Sequence, residues 1–343
     1  MENLKPRISV LLPVRQWRDG TLASISSVLN QSFDSLEILI IGQGNVSSLK
    51  QRLPQDNRLR FIEREKPGIV NALNTGLAKA RAPYIARMDD DDIAYPHRFE
   101  TQLEHLQEHR SIDLCGARIR FIDSHGKSDT IKRGNLQYAQ WLNSLTTPSQ
   151  IRDACYIESP LPHPTLFAHR DVWNTLGGYR ELDGPEDYDL ILRAMLRGMN
   201  MGKPEALLLD WREHTQRLTY SDPRYRREAF TQRRVWAAVQ AQSGLDLHKG
   251  RAVWLCGTGK HARHWHDALK AYSVNVKGFV DFNRASTERQ KRGLPIIDYD
   301  ELPKQRGDAL VVAAITQVQA RTELIKYFKL RQWRCGHEYL VGG

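Results

Sequence analysis

Apolar residues in this chain fall first into short unbroken runs, and between those runs into one-sided helical spacings. Arg7–Leu12 holds an apolar, β-branched run closed by Pro13, and Glu37–Ile41 holds a second. Runs of this length without polar alternation read as strands buried on both faces. Leu59–Glu63 is a third, shorter one, and Tyr84–Met88 is a fourth that stops at an acidic cluster. Thr21–Asn30 places Leu22, Ile25, Val28 and Leu29 on one side, and Gly68–Ala80 places Ile69, Ala72, Leu73 and Leu77 on one stripe. Strand, helix, strand, helix predicts an α/β fold: a mostly parallel sheet with helices on both faces. Ligands of such sheets bind at the carboxyl ends of the strands. That rule lines up Pro13 and Val14, Gly42–Gly44, and Asp89–Asp92 along one rim.

The pattern weakens between about Ser124 and Pro162, and a long basic helix is expected over about Arg224–Ala241. After Ser243-Gly244 alternation resumes. Ala252–Cys256 reads as a strand, His261–Tyr272 as a helix, Val276–Phe282 and Leu310–Ala314 as strands, and Gln317–Lys329 as a helix. The break predicts two domains, 1–243 and a smaller one over 250–343, and 343 residues suit two better than one. No repeat or low-complexity tract is visible.

Composition narrows the class. With 41% hydrophobic and 26% charged residues the chain is ordinary globular material. No apolar run approaches the ~18 residues of a membrane-spanning helix, and the first residues lack the apolar core of a secretory signal. A cytoplasmic protein is expected. Cys115, Cys155, Cys256 and Cys335 are scattered, so neither a zinc site nor a disulfide framework is expected. The formal charge is +10, much of it in Tyr220–Arg234. A face of that sign suits nucleic acid, acidic headgroups or nucleotide phosphates, or is a solvated helix face.

Two segments carry candidate chemistry. Arg87-Met-Asp-Asp-Asp-Asp-Ile-Ala-Tyr-Pro96 sets four adjacent carboxylates at the end of a buried strand. They repel one another unless a counter-charge is present. A divalent cation, Mn²⁺ or Mg²⁺, with its preference for oxygen ligands, resolves this. Alternate residues of extended chain face opposite ways, so Asp89 and Asp91 divide the work between ribose and metal. A cap for the helix starting near Pro96 would need one acid, not four. In Gly184-Pro-Glu-Asp-Tyr-Asp-Leu-Ile-Leu-Arg193, Asp187 opens an amphipathic helix after a Gly-Pro turn. There it is either an N-cap or a general base for an acceptor hydroxyl.

In order along the chain, Ile8–Val14, Gln31-Ser-Phe33, Lys66–Leu77, Tyr84–Ile93, His163–Phe167, Leu176–Arg180 and Glu186–Leu190 resemble the family 2 glycosyltransferases, which have the GT-A fold. The likeness spans about residues 7–215. It implies an inverting transfer of one sugar from a nucleotide-sugar, with UDP the expected carrier. It implies that Asp89 and Asp90, with Pro13, Val14 and Asn74, handle the nucleotide-sugar, that Asp91 and His214 hold the metal, and that Asp187 is the base. His163 and Glu186 fall on the acceptor side. One departure concerns the nucleobase. The family usually carries an acid after the second strand, whereas this chain has Ile40-Ile-Gly-Gln-Gly-Asn45, so Gln43 is expected to read the base edge. The Gln/Arg-x-x-Arg-Trp signature of processive members is absent.

In the second domain, Leu255-Cys-Gly-Thr-Gly-Lys-His-Ala262 follows a strand and opens a helix, and Asp281 ends the next strand. This is the context of a Rossmann-like phosphate turn, either nucleotide-binding or purely structural. Gln140–Thr147, Pro185–Asp187 and the turn near residue 260 look similar to the vertebrate tRNA-queuosine galactosyltransferases. The acceptor is thus expected to be a cell-surface glycan or lipid-linked molecule, with peripheral membrane contact through the basic face, or alternatively tRNA. A nucleotide-dependent oxidoreductase centred on 252–343 lacks an evident acid–base set. A non-catalytic protein on a degenerate scaffold has only the missing acid near Gln43 in its favour.

Overall fold

Strands β1 (Ile8–Val14) and β2 (Leu36–Gly42) bury all seven of their residues, as their unbroken apolar sequences require. The computed structural model describes residues 5–42, 50–63, 67–282 and 289–343. The chain forms two compact units. The first comprises residues 1–152, 160–182 and 189–222, and the second comprises 153–159, 183–188 and 223–343.

In the first unit β1 is the hub. It pairs in parallel with β2 on one side and with β4 (Tyr84–Arg87) on the other, and β3 (Leu59–Ile62) extends the sheet beyond β2. Further strands are β5 (Ile93–Ala94), β6 (Leu114–Cys115), β7 (Arg118–Ile122), β8 (Phe167–His169), β9 (Met201–Gly202) and β10 (Leu207–Arg212). The large sheet runs β3-β2-β1-β4-β8-β6-β9, with β8 antiparallel to both neighbours, and β5-β10-β7 form a second, smaller sheet. The structure thus has the expected mixed, mostly parallel sheet.

Two polar residues interrupt the buried strands and are satisfied. Ser9 Oγ donates to Glu37 Oε1 at 2.6 Å, and the main-chain N–H groups of Arg81 and Ala82 donate to Glu37 and Ser9. Arg60 supplies the counter-charge to Glu37. This network ties β1 and β2 to the turn that leads into β4. The helix Ile69–Lys79 lies against the same strands, and Gly76 sets its approach. A Cβ there would stand 2.7 Å from Ile41 Cδ1 and 2.9 Å from Leu11 Cδ2.

The weakly patterned stretch after Ser124 contains the helices Arg133–Ser144 and Pro148–Ala154. Only Ala139 and Leu142 of the first are buried, so the amphipathic signal is faint. In the second unit the strands β11 (Val253–Cys256), β12 (Val276–Asp281), β13 (Gln290–Lys291), β14 (Leu294–Asp298), β15 (Leu310–Ala314) and β16 (Tyr339–Gly342) form a sheet of order β13-β14-β12-β11-β15-β16. All neighbours but β13 and β14 are parallel. The helix Arg227–Gln240 belongs to this unit, as does Lys260–Ala271 after β11. All four cysteines are free thiols.

One buried ion pair holds the Leu176–Gly178 turn. Arg193 Nε donates to Asp189 Oδ2 at 2.7 Å, with the two side chains 1% and 0% exposed. The same guanidinium donates to the carbonyls of Leu176 and Gly178. Removing the cation takes the counter-charge from a buried carboxylate and the donor from two carbonyls. Arg193→Met is expected to cost about 3–5 kcal/mol in urea denaturation. A loss below about 1 kcal/mol would mean that the pair contributes little beyond packing.

Candidate active site

β1 ends at Val14, β2 at Gly42 and β4 at Arg87, so three neighbouring parallel strands bring their carboxyl ends to one rim. Met88–Asp92 leave β4 there. The run is fixed from below by Arg98, which is fully buried and donates to the carbonyls of Arg87 (2.7 Å) and Pro164 (2.6 Å). Burial lowers the Arg98 guanidinium to about 9. From the side, Ser24 Oγ in the helix Asp19–Leu29 donates to the Asp89 carbonyl at 2.7 Å.

Each carboxylate then has its own surroundings. Asp89 pairs with buried Arg87 at 2.6 Å. Asp91 Oδ2 lies 2.7 Å from His214 Nε2 and 3.5 Å from Arg18 Nη1. Burial pushes Asp91 up, but the hydrogen bond and charge of His214, with Arg217 and Arg18, outweigh it and hold Asp91 below the usual range. Asp92 is fully buried. Its Oδ1 accepts the Arg212 N–H at 2.8 Å, while its Oδ2 has no hydrogen-bond partner. Arg212 Nε also donates to the Asp91 carbonyl. Asp90 and Asp92 are both pushed well above the usual carboxylate value, first by burial and then by the charges of Asp91 and Asp89.

The oxygens of Asp89, Asp91 and Asp92 lie within 4.8 Å of one another. An orphaned buried carboxylate oxygen, flanked by two further carboxylates, fits a hard divalent cation. These three, with His214 already on Asp91, are the residues that could hold one. Asp92, Arg18 and Arg212 were not singled out from sequence. Asp92 was legible as part of the acidic run, but Arg212 lies 120 residues further on and gave no local signal.

The other candidates are distributed differently. Pro13 and Val14 stand at the end of β1 on the same rim. Asn74 gives both ends of its amide to the Tyr179 main chain, donating to its carbonyl and accepting from its N–H, each at 2.8 Å. His163 is buried with Nε2 2.9 Å from Tyr179 Oη, and burial, with the nearby Arg87 charge, holds it well below its usual value. Asn74 and His163 therefore meet at one tyrosine. Gln43 lies outside the described residues. Glu186 and Asp187, which fall in the second unit, open the helix Glu186–Leu196. Asp187 Oδ1 accepts the Tyr188 N–H at 2.7 Å, and Glu186 is 2% exposed and bonded to Tyr225.

In the second unit, Gly257 has φ +109° and a Cβ there would meet the Ala314 carbonyl at 3.1 Å, so the turn after β11 needs glycine. Lys260 pairs with Glu228 at 3.6 Å. In the basic helix, Arg234 is buried and bonds to Tyr188, Glu158 and the Gly343 carbonyl, and Arg233 stacks over Trp236 at 4.0 Å.

Because Asp90 and Asp92 titrate above their unfolded value, the acidic run costs little below the ordinary carboxylate range and more as pH rises through the raised values. With chelator present, Asp90→Asn is expected to add about 1 kcal/mol at pH 8, a Tm rise of about 3 °C, and nothing near pH 4. A Tm unchanged at pH 8 would mean that the run is not under charge strain.

Residues 9–172 match the family described as Glycosyl transferase family 2. The chain is similar to the O-antigen biosynthesis glycosyltransferase WbnJ of Escherichia coli, 29% identical over 61% of this chain and 80% of that protein. It is also similar to the amylovoran biosynthesis glycosyltransferase AmsE of Erwinia amylovora, 32% identical over 54% of this chain and 66% of that protein. The bifunctional glycosyltransferase pgtA of Dictyostelium discoideum is 25% identical over 64% of this chain, which spans only 34% of its length. Among solved structures, S. aureus TarS 1-349 in complex with UDP-GlcNAc superposes with a TM-score of 0.54 at 14% identity, covering 78% of this chain and 73% of that one, a likeness of fold. The matched span contains β2, β4 and nearly all of β1 together with the acidic run at their ends, and on that ground residues 9–172 belong to glycosyl transferase family 2, and the chain has the GT-A fold.

Proposed function

We propose that this glycosyltransferase is inverting and metal-dependent, and moves one sugar from a UDP-sugar to a hydroxyl of a glycan or lipid-linked acceptor. The observation that carries the reading is the orphaned Oδ2 of Asp92 beside Asp89 and Asp91 at the carboxyl ends of the central strands. UDP is favoured because TarS, whose fold this chain shares, was solved with UDP-GlcNAc. A glycan acceptor is favoured because WbnJ and AmsE are named for O-antigen and amylovoran biosynthesis. The tRNA alternative gains nothing from the basic helix, since Arg234 and Arg233 are engaged inside their own unit.

In this reading Asp89, Asp91, Asp92 and His214 would hold a divalent cation, which would supply positive charge against the leaving diphosphate. Asp89 and Asp90, with Pro13 and Val14 at the end of β1, bind and orient the nucleotide. Arg18, 3.5 Å from Asp91, adds positive charge beside the same group. Asp187 takes the proton from the acceptor hydroxyl. The acceptor oxygen forms a bond to the anomeric carbon from the face opposite the diphosphate, the bond to the diphosphate oxygen breaks, and its electron pair leaves with the nucleotide. One displacement inverts configuration, and no enzyme nucleophile is needed. No described helix is long and apolar enough to cross a membrane. Residues 1–243 are assigned the transfer and 250–343 a supporting role.

Two results test this. Mn²⁺ with UDP-GlcNAc is expected to raise Tm, by about 2.7 kcal/mol of stability at a hundredfold excess over Kd. The shift should be larger at pH 8 than at pH 5.5, because the cation must displace a proton from Asp92, whose value is raised. Asp91→Ala should remove the Mn²⁺ dependence, and equal shifts with and without Mn²⁺ would refute the metal role. Asp187→Asn should keep the donor-induced shift while turnover falls by about 10²–10⁴. Full turnover in that variant would remove Asp187 from the base role.

A further inference from the structure

Glu186 presents a geometry that the transfer reading does not use. One hydroxyl, Tyr225 Oη, lies 2.8 Å from Glu186 Oε1 and 2.7 Å from Oε2. Both contacts are full two-centre hydrogen bonds only if two protons are available; a single proton gives one three-centre bond shared between the two oxygens. The tyrosine carries one. A carboxylate carries none, whereas a carboxylic acid carries the second. One oxygen of the acid then donates to Oη while Oη donates to the other, and both contacts are made. An ionised Glu186 would share one proton between two oxygens, at a residue that is 2% exposed.

We propose that Glu186 is a neutral carboxylic acid clasped by Tyr225, a positioning pair that leaves Asp187 the only ionised carboxylate of the two when the acceptor proton is taken. This rests on the reading of Asp187 as the base, and it supplies the division of labour which that reading lacks. Two adjacent carboxylates of equal basicity would compete for the same proton, and each would weaken the other's ionisation. Keeping one neutral fixes the charge on the other.

The surroundings agree. Burial, and then the charge of Asp187, push the Glu186 carboxyl up to about 7, against the smaller pulls of the Tyr225 hydrogen bond and Arg224. Tyr225 is pushed up by its own burial and by Glu186 and Asp187, so it keeps its proton. The charged and titratable groups facing Glu186 are Asp187 on its own helix, and Arg224 and Tyr225 on the short turn Pro223–Tyr225. Asp187 Oδ1 accepts the Tyr188 N–H. Tyr225 lies beyond the family match at residues 9–172, and nothing in the local sequence marks it.

The test uses the full chain and has two readouts. The first is the infrared difference spectrum of the wild type against Glu186→Gln. At pH 6 it should contain the carbonyl stretch of a protonated acid, replaced above pH 8 by carboxylate bands. Carboxylate bands at pH 6 would overturn the proposal, whatever the variants do in catalysis. The second is turnover of UDP-GlcNAc, or of whichever UDP-sugar raises Tm, against pH. Glutamine has the shape of the neutral acid and both a donor and an acceptor for Oη. Glu186→Gln should keep about a tenth or more of the rate and lose a step near pH 7, while Glu186→Ala should fall about a hundredfold. Tyr225→Phe should lower kcat about tenfold with the donor KM within about twofold. Glu186→Gln no better than Glu186→Ala would also overturn the proposal. If Asp187→Asn turns over normally while the acid band is present, the base assignment alone falls and the clasp stands.

Discussion

Four carboxylates have to be kept together at the end of a buried strand, and much of the first unit is arranged around that constraint. Two like charges about 4 Å apart at a protein surface repel by about 4 kcal/mol, against a total folding margin of only about 5–15 kcal/mol. Asp89 through Asp92 would exhaust that margin if left uncompensated. The counter-charges come from Arg87 beneath, Arg18 at the start of a helix, and His214 and Arg217 in the chain just after the small sheet, while Arg212 adds its main-chain N–H to Asp92. Arg98 does not touch the carboxylates. It pins the carbonyl of Arg87, so the turn into the acidic run cannot relax away from the rim. The sheet β5-β10-β7 makes sense in these terms, since it carries Arg212 back to residues that lie 120 positions earlier.

How much of this was legible in the sequence follows from the range of each interaction. The runs that became β1, β2 and β4 are uniform in character, and uniform burial leaves a uniform pattern. The helices at 19–29 and 69–79 have one buried face and were equally plain. Strands β6, β8 and β9 are two or three residues long and exist only because neighbours pair with them. No periodicity fits in so short a segment. The helix Arg133–Ser144 buries two residues and so left almost no stripe.

The site divides in the same way. The acidic run was plain because four adjacent carboxylates at the end of an apolar strand demand a counter-charge, whatever the rest of the chain does. What holds the run was not plain, because Arg212 and Arg18 look like any surface arginine until the fold brings them in. Asn74 and His163 were chosen for ligand chemistry, and the structure engages both with Tyr179, one through the main chain and one through the ring hydroxyl. The basic stretch at 220–234 was correctly read as basic. Net charge alone did not reveal that Arg234 points inward, and Tyr225, between two arginines, was simply part of a charged segment.

The sheet order has a consequence for how the chain is made. β4 reaches its place beside β1 early, but its other edge is covered only by β8, about 80 residues later in the sequence. At synthesis rates of roughly 5–20 residues per second, that edge waits about 4–16 s for its partner. During that time the nascent chain offers an apolar strand, Tyr84-Ile-Ala-Arg87, whose free N–H and C=O groups would accept any passing strand. The acidic run directly after it carries like charge on every copy. Two nascent chains that paired in parallel, edge to edge, would bring their aspartates together, so the residues proposed to serve a nucleotide-sugar also discourage that wrong pairing before the right strand has been translated.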